Sequence, residues 1–273
     1  MIELPEARTI AKDLRKEILG KMIVAVNGNF TDHKFTFYYE DPNEYHKFLN
    51  NKKITKVNDR NFYIEIEIED YILLFRDGAN IRYYNNLQDY PEKSKLRIEF
   101  NDGSFINVTT SMYSFICVFN KKKGMDNLYY QLELNGIGVL DDAFTLDHFK
   151  TLVSTNPKHS LKALLATEQR ILGIGNGVCH DIFFNARMHP KRKVLSLTKE
   201  DVNTLYNATK KTITQMTEER GRDTEKDIYG KNGLYRTILS SKTYKESCPV
   251  CKGPIKKENY LGGSIYYCPN CQQ

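Results

Sequence analysis

The chain has 273 residues, 40% hydrophobic and 27% charged. These proportions suit one or two folded domains with real cores, and exclude low-complexity, collagen-like or coiled-coil chains. No stretch approaches the 18 apolar residues of a membrane span, and the acidic start Met1-Ile2-Glu3-Leu4-Pro5-Glu6 carries no basic-then-apolar export pattern. The expectation is a cytoplasmic protein with no membrane partner. The net charge of +6 is uneven: residues 1–150 hold 20 Lys/Arg against 23 Asp/Glu, which leaves 20 against 11 for residues 151–273. A second half at +9 predicts a polyanionic partner, because phosphate neutralisation by Lys and Arg releases counterions. A basic surface kept only for solubility is the plainer alternative.

Along the chain, Glu6–Leu19 predicts an amphipathic helix with Ile10, Leu14 and Ile18 on one face. Phe35–Tyr39, Phe62–Glu69, Tyr71–Phe75, Leu96–Phe100 and Phe105–Thr109 read as strands, with turns at Asp70, Asp77-Gly78 and Asp102-Gly103. A helix followed by a β-sandwich fits this order, and the fold class is α+β. Lys121-Lys122-Lys123-Gly124 reads as an exposed connection, so a first domain is expected over residues 1–130.

The period then changes to 3.6. Leu161–Gln169, Gly177–Ala186 and Thr198–Thr217 are predicted helices of a domain over residues 131–240. Between the first two lies the turn Ile171-Leu-Gly-Ile-Gly-Asn176-Gly177. Glycines such as Gly175 let backbone N–H groups approach an anion at a helix start, and Asn176 adds a side-chain donor. Half of such turns are simply caps. The run His189-Pro-Lys191-Arg192-Lys193 strengthens the phosphate reading, although a solvated loop would look the same.

Six cysteines are present. Cys117 and Cys179 lie in apolar surroundings and read as small buried hydrophobes. Cys248, Cys251, Cys268 and Cys271 form C-x2-C-x16-C-x2-C, the spacing of a four-thiolate zinc site rather than of two redox dithiols. Residues 241–273 are too few to bury a core, so one structural zinc ion is expected to supply their folding free energy. Ile255–Leu261 and Ser264–Tyr267, joined at Gly262-Gly263, predict a hairpin made basic by Lys252, Lys256 and Lys257.

Three features stand in order: Glu3-Leu4-Pro5-Glu6, Gln169-Arg170-Ile-Leu-Gly-Ile-Gly-Asn176, and the four-Cys hairpin. Together with Asn185-Ala186-Arg187-Met188-His189-Pro190 and Cys271-Gln272, they resemble the formamidopyrimidine-DNA glycosylase/endonuclease VIII family over nearly the whole chain. The resemblance implies removal of oxidised bases and nicking of the abasic strand. It also implies a β-sandwich, a helix–two-turn–helix domain, a zinc finger, and a damaged duplex as partner with the lesion flipped out of the stack. By matching positions, Asn176 would hold a phosphate, Glu3 would sit beside the sugar, and the four terminal cysteines would carry zinc. A monomer acting at the nucleoid is expected.

Departures from the family pattern are equally visible. Its N-terminal proline nucleophile is absent: the second residue is Ile2, whose bulk predicts that Met1 is kept. The primary α-amine of Met1 or Ile2 can still serve as a nucleophile. Its Arg-Gly-Lys-Tyr strand entry is matched by Asp59-Arg60-Asn61-Phe62, with Asn61 at the lysine and Arg60 either a phosphate contact or a surface strand-end arginine. The finger's Gly-Arg becomes Gly262-Gly263. Met112 and Tyr113 are candidate wedges for the vacated stack, or else core residues. Gly221-Arg222-Asp223-Thr224-Glu225-Lys226-Asp227 falls where the family has its lesion-capping loop, and reads as a solvated turn. A glycosylase using Glu3 or a primary amine competes with a catalytically silent lesion-binding protein. A zinc ribbon for protein contacts is a third reading.

Overall fold

The computed structural model describes residues 1–31, 34–86, 91–167 and 170–273. It divides into two compact units, one of residues 1–134 with 225–233, the other of 135–224 with 234–273. The C-terminal residues 241–273 thus fall within the second unit.

In the first unit, α1 (Leu4–Ile18) begins two residues before the expected start. Glu3 is its N-cap in a capping box with Glu6, and Pro5 is tolerated in the first turn, where its missing N–H has no partner to lose. Ile10, Leu14 and Ile18 are buried as their spacing required. The strands are β1 (Ile23–Gly28), β2 (Thr36–Tyr39), β3 (Ile54–Arg60), β4 (Tyr63–Ile68), β5 (Tyr71–Tyr84), β6 (Leu96–Phe100) and β7 (Phe105–Asn120). Short α2 (Tyr45–Leu49) follows β2, and α3 (Leu128–Asn135) follows β7.

Strand order is β1-β6-β7-β5-β4-β3, with β2 joined in parallel to β7. The long strands β5 and β7 are shared between both layers of a sandwich. Tyr71–Arg76 of β5 pairs with β4 and Tyr71–Asp77 with Ser114–Asn120, while its second half pairs with Phe105–Thr110, the part of β7 that also receives β6. Phe75, Ile81, Val108 and Ile116 of these strands join Leu14 and Ile18 in one core. Asp77-Gly78 is therefore a bulge in a continuing strand, where a chain reversal was expected. Asp77 takes φ +59, and a Cβ on Gly78 would lie 1.9 Å from the Ser111 carbonyl oxygen. The two residues have turn chemistry because they let two backbones touch.

Residues 225–233 return to this unit. Ile228 is fully buried in its core, and its carbonyl accepts from the Tyr83 N–H at 2.9 Å.

The second unit holds α4 (Leu146–Thr155), α5 (Leu161–Ala166), α6 (Asn176–Asn185) and α7 (Lys199–Glu218). The side chains of Thr145, Ser160 and Thr198 cap α4, α5 and α7. The predicted helix Leu161–Gln169 ends at Ala166 in the structure, and Gln169 lies outside the described residues. Helix α6 is held to the later chain by buried Asp181, which accepts from the N–H groups of Ile238 and Leu239 at 2.9 and 2.8 Å. The hairpin β8 (Lys256–Tyr260) and β9 (Gly263–Tyr267) completes the unit.

Candidate active site and metal centre

The start of the chain is built into the first unit. The Ile2 side chain is 5% exposed and packs in the core, while its N–H donates to the Asp77 carbonyl at 2.7 Å. Glu3 is buried, and its own N–H donates to Glu6 Oε2 at 3.2 Å. The Met1 α-amine forms an ion pair with Glu225. Met1, Ile2 and Glu225 line one small cleft with Asp77 and Asn80. Burial holds the Asp77 carboxyl above its usual range, against the opposing pull of Arg76 and the α-amine. Burial likewise raises the Tyr113 phenol, with the charges of Asp77 and Glu3 adding to it.

The Met1 amine and the carboxyl groups of Glu6, Asp77 and Glu225 thus gather at one place, and such groups can donate and accept protons. Sequence reasoning missed two members. Asp77 passed for a turn residue, and Glu225 lay in a run read as solvated.

Beside this cleft, Met112 is 73% exposed with φ +63, and Tyr113 is also exposed. The core alternative for this pair is excluded. Arg60 Nε pairs with buried Glu65 at 2.8 Å, so part of its guanidinium is engaged within the protein. The β3–β4 turn corrects the expected register. Asn61 sits at φ +47, the left-handed region glycine favours, so Arg60-Asn61-Phe62-Tyr63 matches Arg-Gly-Lys-Tyr. Phe62, rather than Asn61, occupies the lysine position.

Asn61 instead donates through Nδ2 to Oε2 of the buried Glu133 carboxyl at 3.2 Å. Burial pushes Glu133 from the ordinary 4.5 up to about 7, against lowering by Asn61, Arg76 and Arg60. The folded protein keeps a proton that the unfolded chain has released, so this residue's contribution to stability falls as pH rises from 4.5 to about 7. Glu133→Gln is expected to remove that slope and to add about 2–3 kcal/mol at pH 8. Urea unfolding at pH 5 and pH 8 measures it; equal effects at both pH values would refute the assignment.

In the second unit, Gly175 is the N-cap of α6 and Asn176 its first residue. Asn176 Nδ2 donates to the Ser264 carbonyl at 3.0 Å, and His180 Nε2 donates to the same oxygen at 3.2 Å. Burial pushes His180 down to about 3, so its ring is neutral. A Cβ on Gly263 would come within 3.4 Å of the Asn176 amide. The basic run is largely paired: Lys191 with Glu258, and Arg192 with Asp201 at 2.5 Å.

The sulfurs of Cys248, Cys251, Cys268 and Cys271 lie within 4.8 Å of one another. Cys248–Cys271 and Cys251–Cys268 are 3.8 and 3.4 Å apart. A tetrahedron with metal–sulfur bonds of about 2.3 Å has edges of about 3.8 Å, so the four sulfurs fit one metal ion. Cys248 and Cys268 are buried with Phe184, Leu239 and Tyr266, and the Gly253 N–H donates to Cys251 Sγ at 3.4 Å. The donor set is closed, with no protein position left for a substrate.

A sandwich begun by a capped N-terminal helix, a helical unit and a four-sulfur hairpin together define a family. Residues 1–110 match the Formamidopyrimidine-DNA glycosylase N-terminal domain, and residues 136–227 match the Formamidopyrimidine-DNA glycosylase H2TH domain. The chain belongs to the formamidopyrimidine-DNA glycosylase/endonuclease VIII family. It is 24% identical over 277 residues to the formamidopyrimidine-DNA glycosylase of Shouchella clausii, covering 100% of this chain and 99% of that protein. It is 26% identical over 278 residues to that of Carboxydothermus hydrogenoformans, with both chains covered completely, 100% each. Among solved structures, the MutM (Fpg) protein of Thermus thermophilus superposes with a TM-score of 0.80 at 22% identity, over 99% of this chain and 98% of that one. Lactococcus lactis Fpg in complex with abasic-site DNA gives 0.82 at 22% identity, over 99% of each chain.

Proposed function

We propose that this chain is a base-excision repair glycosylase that binds damaged duplex DNA and releases oxidised bases; weak nicking of the abasic strand belongs to the amine route below. The observation that carries the reading is the cleft of Asp77 and the Met1 amine, next to Glu3 and beside the exposed Met112-Tyr113 bulge. Support comes from the names of the relatives and from Lactococcus lactis Fpg complexes with abasic-site and N7-benzyl-Fapy-dG DNA. Met112 and Tyr113 fill the space of the flipped nucleotide, and Gly175 and Asn176 lie against a phosphate. Arg60 offers its remaining donors to the backbone. Cys248, Cys251, Cys268 and Cys271 hold one zinc ion, which supplies structure rather than chemistry. The protein works as a monomer at the nucleoid in the cytoplasm.

Two routes lead to base release. In the first, Glu3 takes a proton from water as its oxygen bonds the sugar carbon and the base leaves with the glycosidic electron pair. In the second, a neutral amine of Met1 or Ile2 attacks that carbon as the base leaves with the glycosidic electron pair; the amine then loses a proton, and the carbon–ring-oxygen bond opens, its oxygen taking a proton, to leave a Schiff base. The ion pair of Met1 with Glu225 and the bond of the Ile2 N–H to Asp77 favour the water route. Borohydride reduction on duplexes carrying oxidised bases is expected to show base release without a trapped adduct. Glu3→Gln should slow release at least about a hundredfold, the scale of a lost general base. Trapped adduct would move the chemistry to the amine. No release and no adduct, with tight salt-sensitive binding, would establish the silent binding protein instead.

A further inference from the structure

One row of side chains crosses the strands of the first unit. In register, Arg60 faces Tyr63, Tyr63 faces Arg76, Arg76 faces Phe115, and Phe115 faces Phe37. Cations and aromatic rings alternate along β3, β4, β5 and β7, and the row ends in a second ring on β2. The Arg76 guanidinium lies 4.9 Å from the Tyr63 ring centroid and donates to the Tyr63 hydroxyl at 2.8 Å. Phe37 and Phe115 stack with centroids 5.2 Å apart. In the middle of the row Tyr63 is buried and Arg76 partly so, with Tyr129 of α3 over the guanidinium.

The β2 end is different. Phe37 is 46% exposed, and Phe35, two residues before it, is exposed as well. Phe35 accepts the Ser114 N–H through its carbonyl at 3.0 Å, which extends the pairing toward exposed Tyr113. Among the described residues, β2 has no strand on its other side. Lys34 Nζ stands 5.8 Å from the Phe35 ring centroid.

We propose that Phe35, Phe37, Phe115 and Tyr113 form a stacking platform for the unpaired bases of single-stranded DNA. The inference rests on the DNA-repair reading of the neighbouring Met112-Tyr113 bulge, with which the platform is continuous. Its chemistry selects this occupant. Ring faces accept any base by stacking, and Lys34 beside the Phe35 ring suits a phosphate of the same chain. An apolar protein partner would gain from the ring area but not from Lys34.

The test uses the full chain with fluorescein-labelled ten-residue oligothymidine and, separately, a paired duplex containing one abasic site. The Phe35→Leu/Phe37→Leu double variant keeps apolar area but removes two ring faces. It is expected to bind the oligothymidine about tenfold more weakly, with duplex affinity unchanged within about twofold. A Phe37→Tyr variant should bind it like the parent. Equal weakening on both probes, no weakening on the oligothymidine, or a parent that binds duplex but not oligothymidine would each overturn the platform. A parent that binds neither probe would overturn the DNA-repair reading itself.

Discussion

Gly78→Ala is expected to be the most damaging single-methyl change in the first unit. The added Cβ would stand 1.9 Å from the Ser111 carbonyl oxygen and 2.7 Å from that of Tyr113, both backbone atoms. Neither can swing aside as a side-chain tip would, so β5 and β7 must separate where they cross between layers. Overpacking against a flexible neighbour costs about 1–3 kcal/mol, and a rigid backbone contact puts this variant at or above the upper end. The same shift displaces Asp77, which holds the Ile2 N–H, and the Met112-Tyr113 bulge. Urea unfolding should show a loss of at least about 3 kcal/mol, and abasic-duplex binding should weaken in parallel. An alanine variant with the parental midpoint and affinity would show that the close approach is not required.

Cys268→Ser is expected to have a larger effect, confined to the second unit. Cys268 is buried, and its sulfur is 3.4 Å from that of Cys251. Structural zinc contributes about 10–16 kcal/mol to small thiolate modules at neutral pH, far more than a hairpin of this size gains from its core. Loss of one ligand should therefore release the metal, unfold β8 and β9, and cut duplex affinity at least about a hundredfold. Metal content, titrated with a chromogenic chelator, should fall from one equivalent to none. Cys117→Ser, in the sandwich, should keep its metal. A Cys268→Ser protein that retains both zinc and affinity would dismiss the four-sulfur site.

Sequence patterning exposed some parts of this architecture and hid others, for identifiable reasons. Helix α1 was legible because Ile10, Leu14 and Ile18 repeat at helical spacing, and the metal centre because C-x2-C turns constrain geometry locally. Strands β1 and β3 were not. In β1 only Ile23 and Val26 are buried, and in β3 only Ile54 and Val57. Both pairs are spaced by three residues, which breaks the period of two that marks a half-buried strand. The full length of β5 and β7 was concealed by the bulge at Asp77-Gly78 and by exposed Ser111-Met112-Tyr113, which break period two without ending the strand. The site suffered most from distance along the chain. Glu3 could be chosen from a local motif, but Glu225, which meets the Met1 amine, comes from more than two hundred residues away, and charge alone gave it no distinction. Phe35 and Phe37 looked like ordinary strand residues until the parallel pairing with β7 showed which face they shared.

The return of residues 225–233 to the first unit has a bearing on biosynthesis. A ribosome that has emitted residues 1–134 has made every strand of the sandwich but not Ile228, which fills part of its interior. At about 5–20 residues per second, that gap lasts on the order of ten seconds. During this interval the nascent sandwich is a vessel missing its stopper, and the Met1 amine has yet to meet Glu225. Maturation of the amino-terminal cleft is thereby postponed until the helices of the second unit have left the exit tunnel.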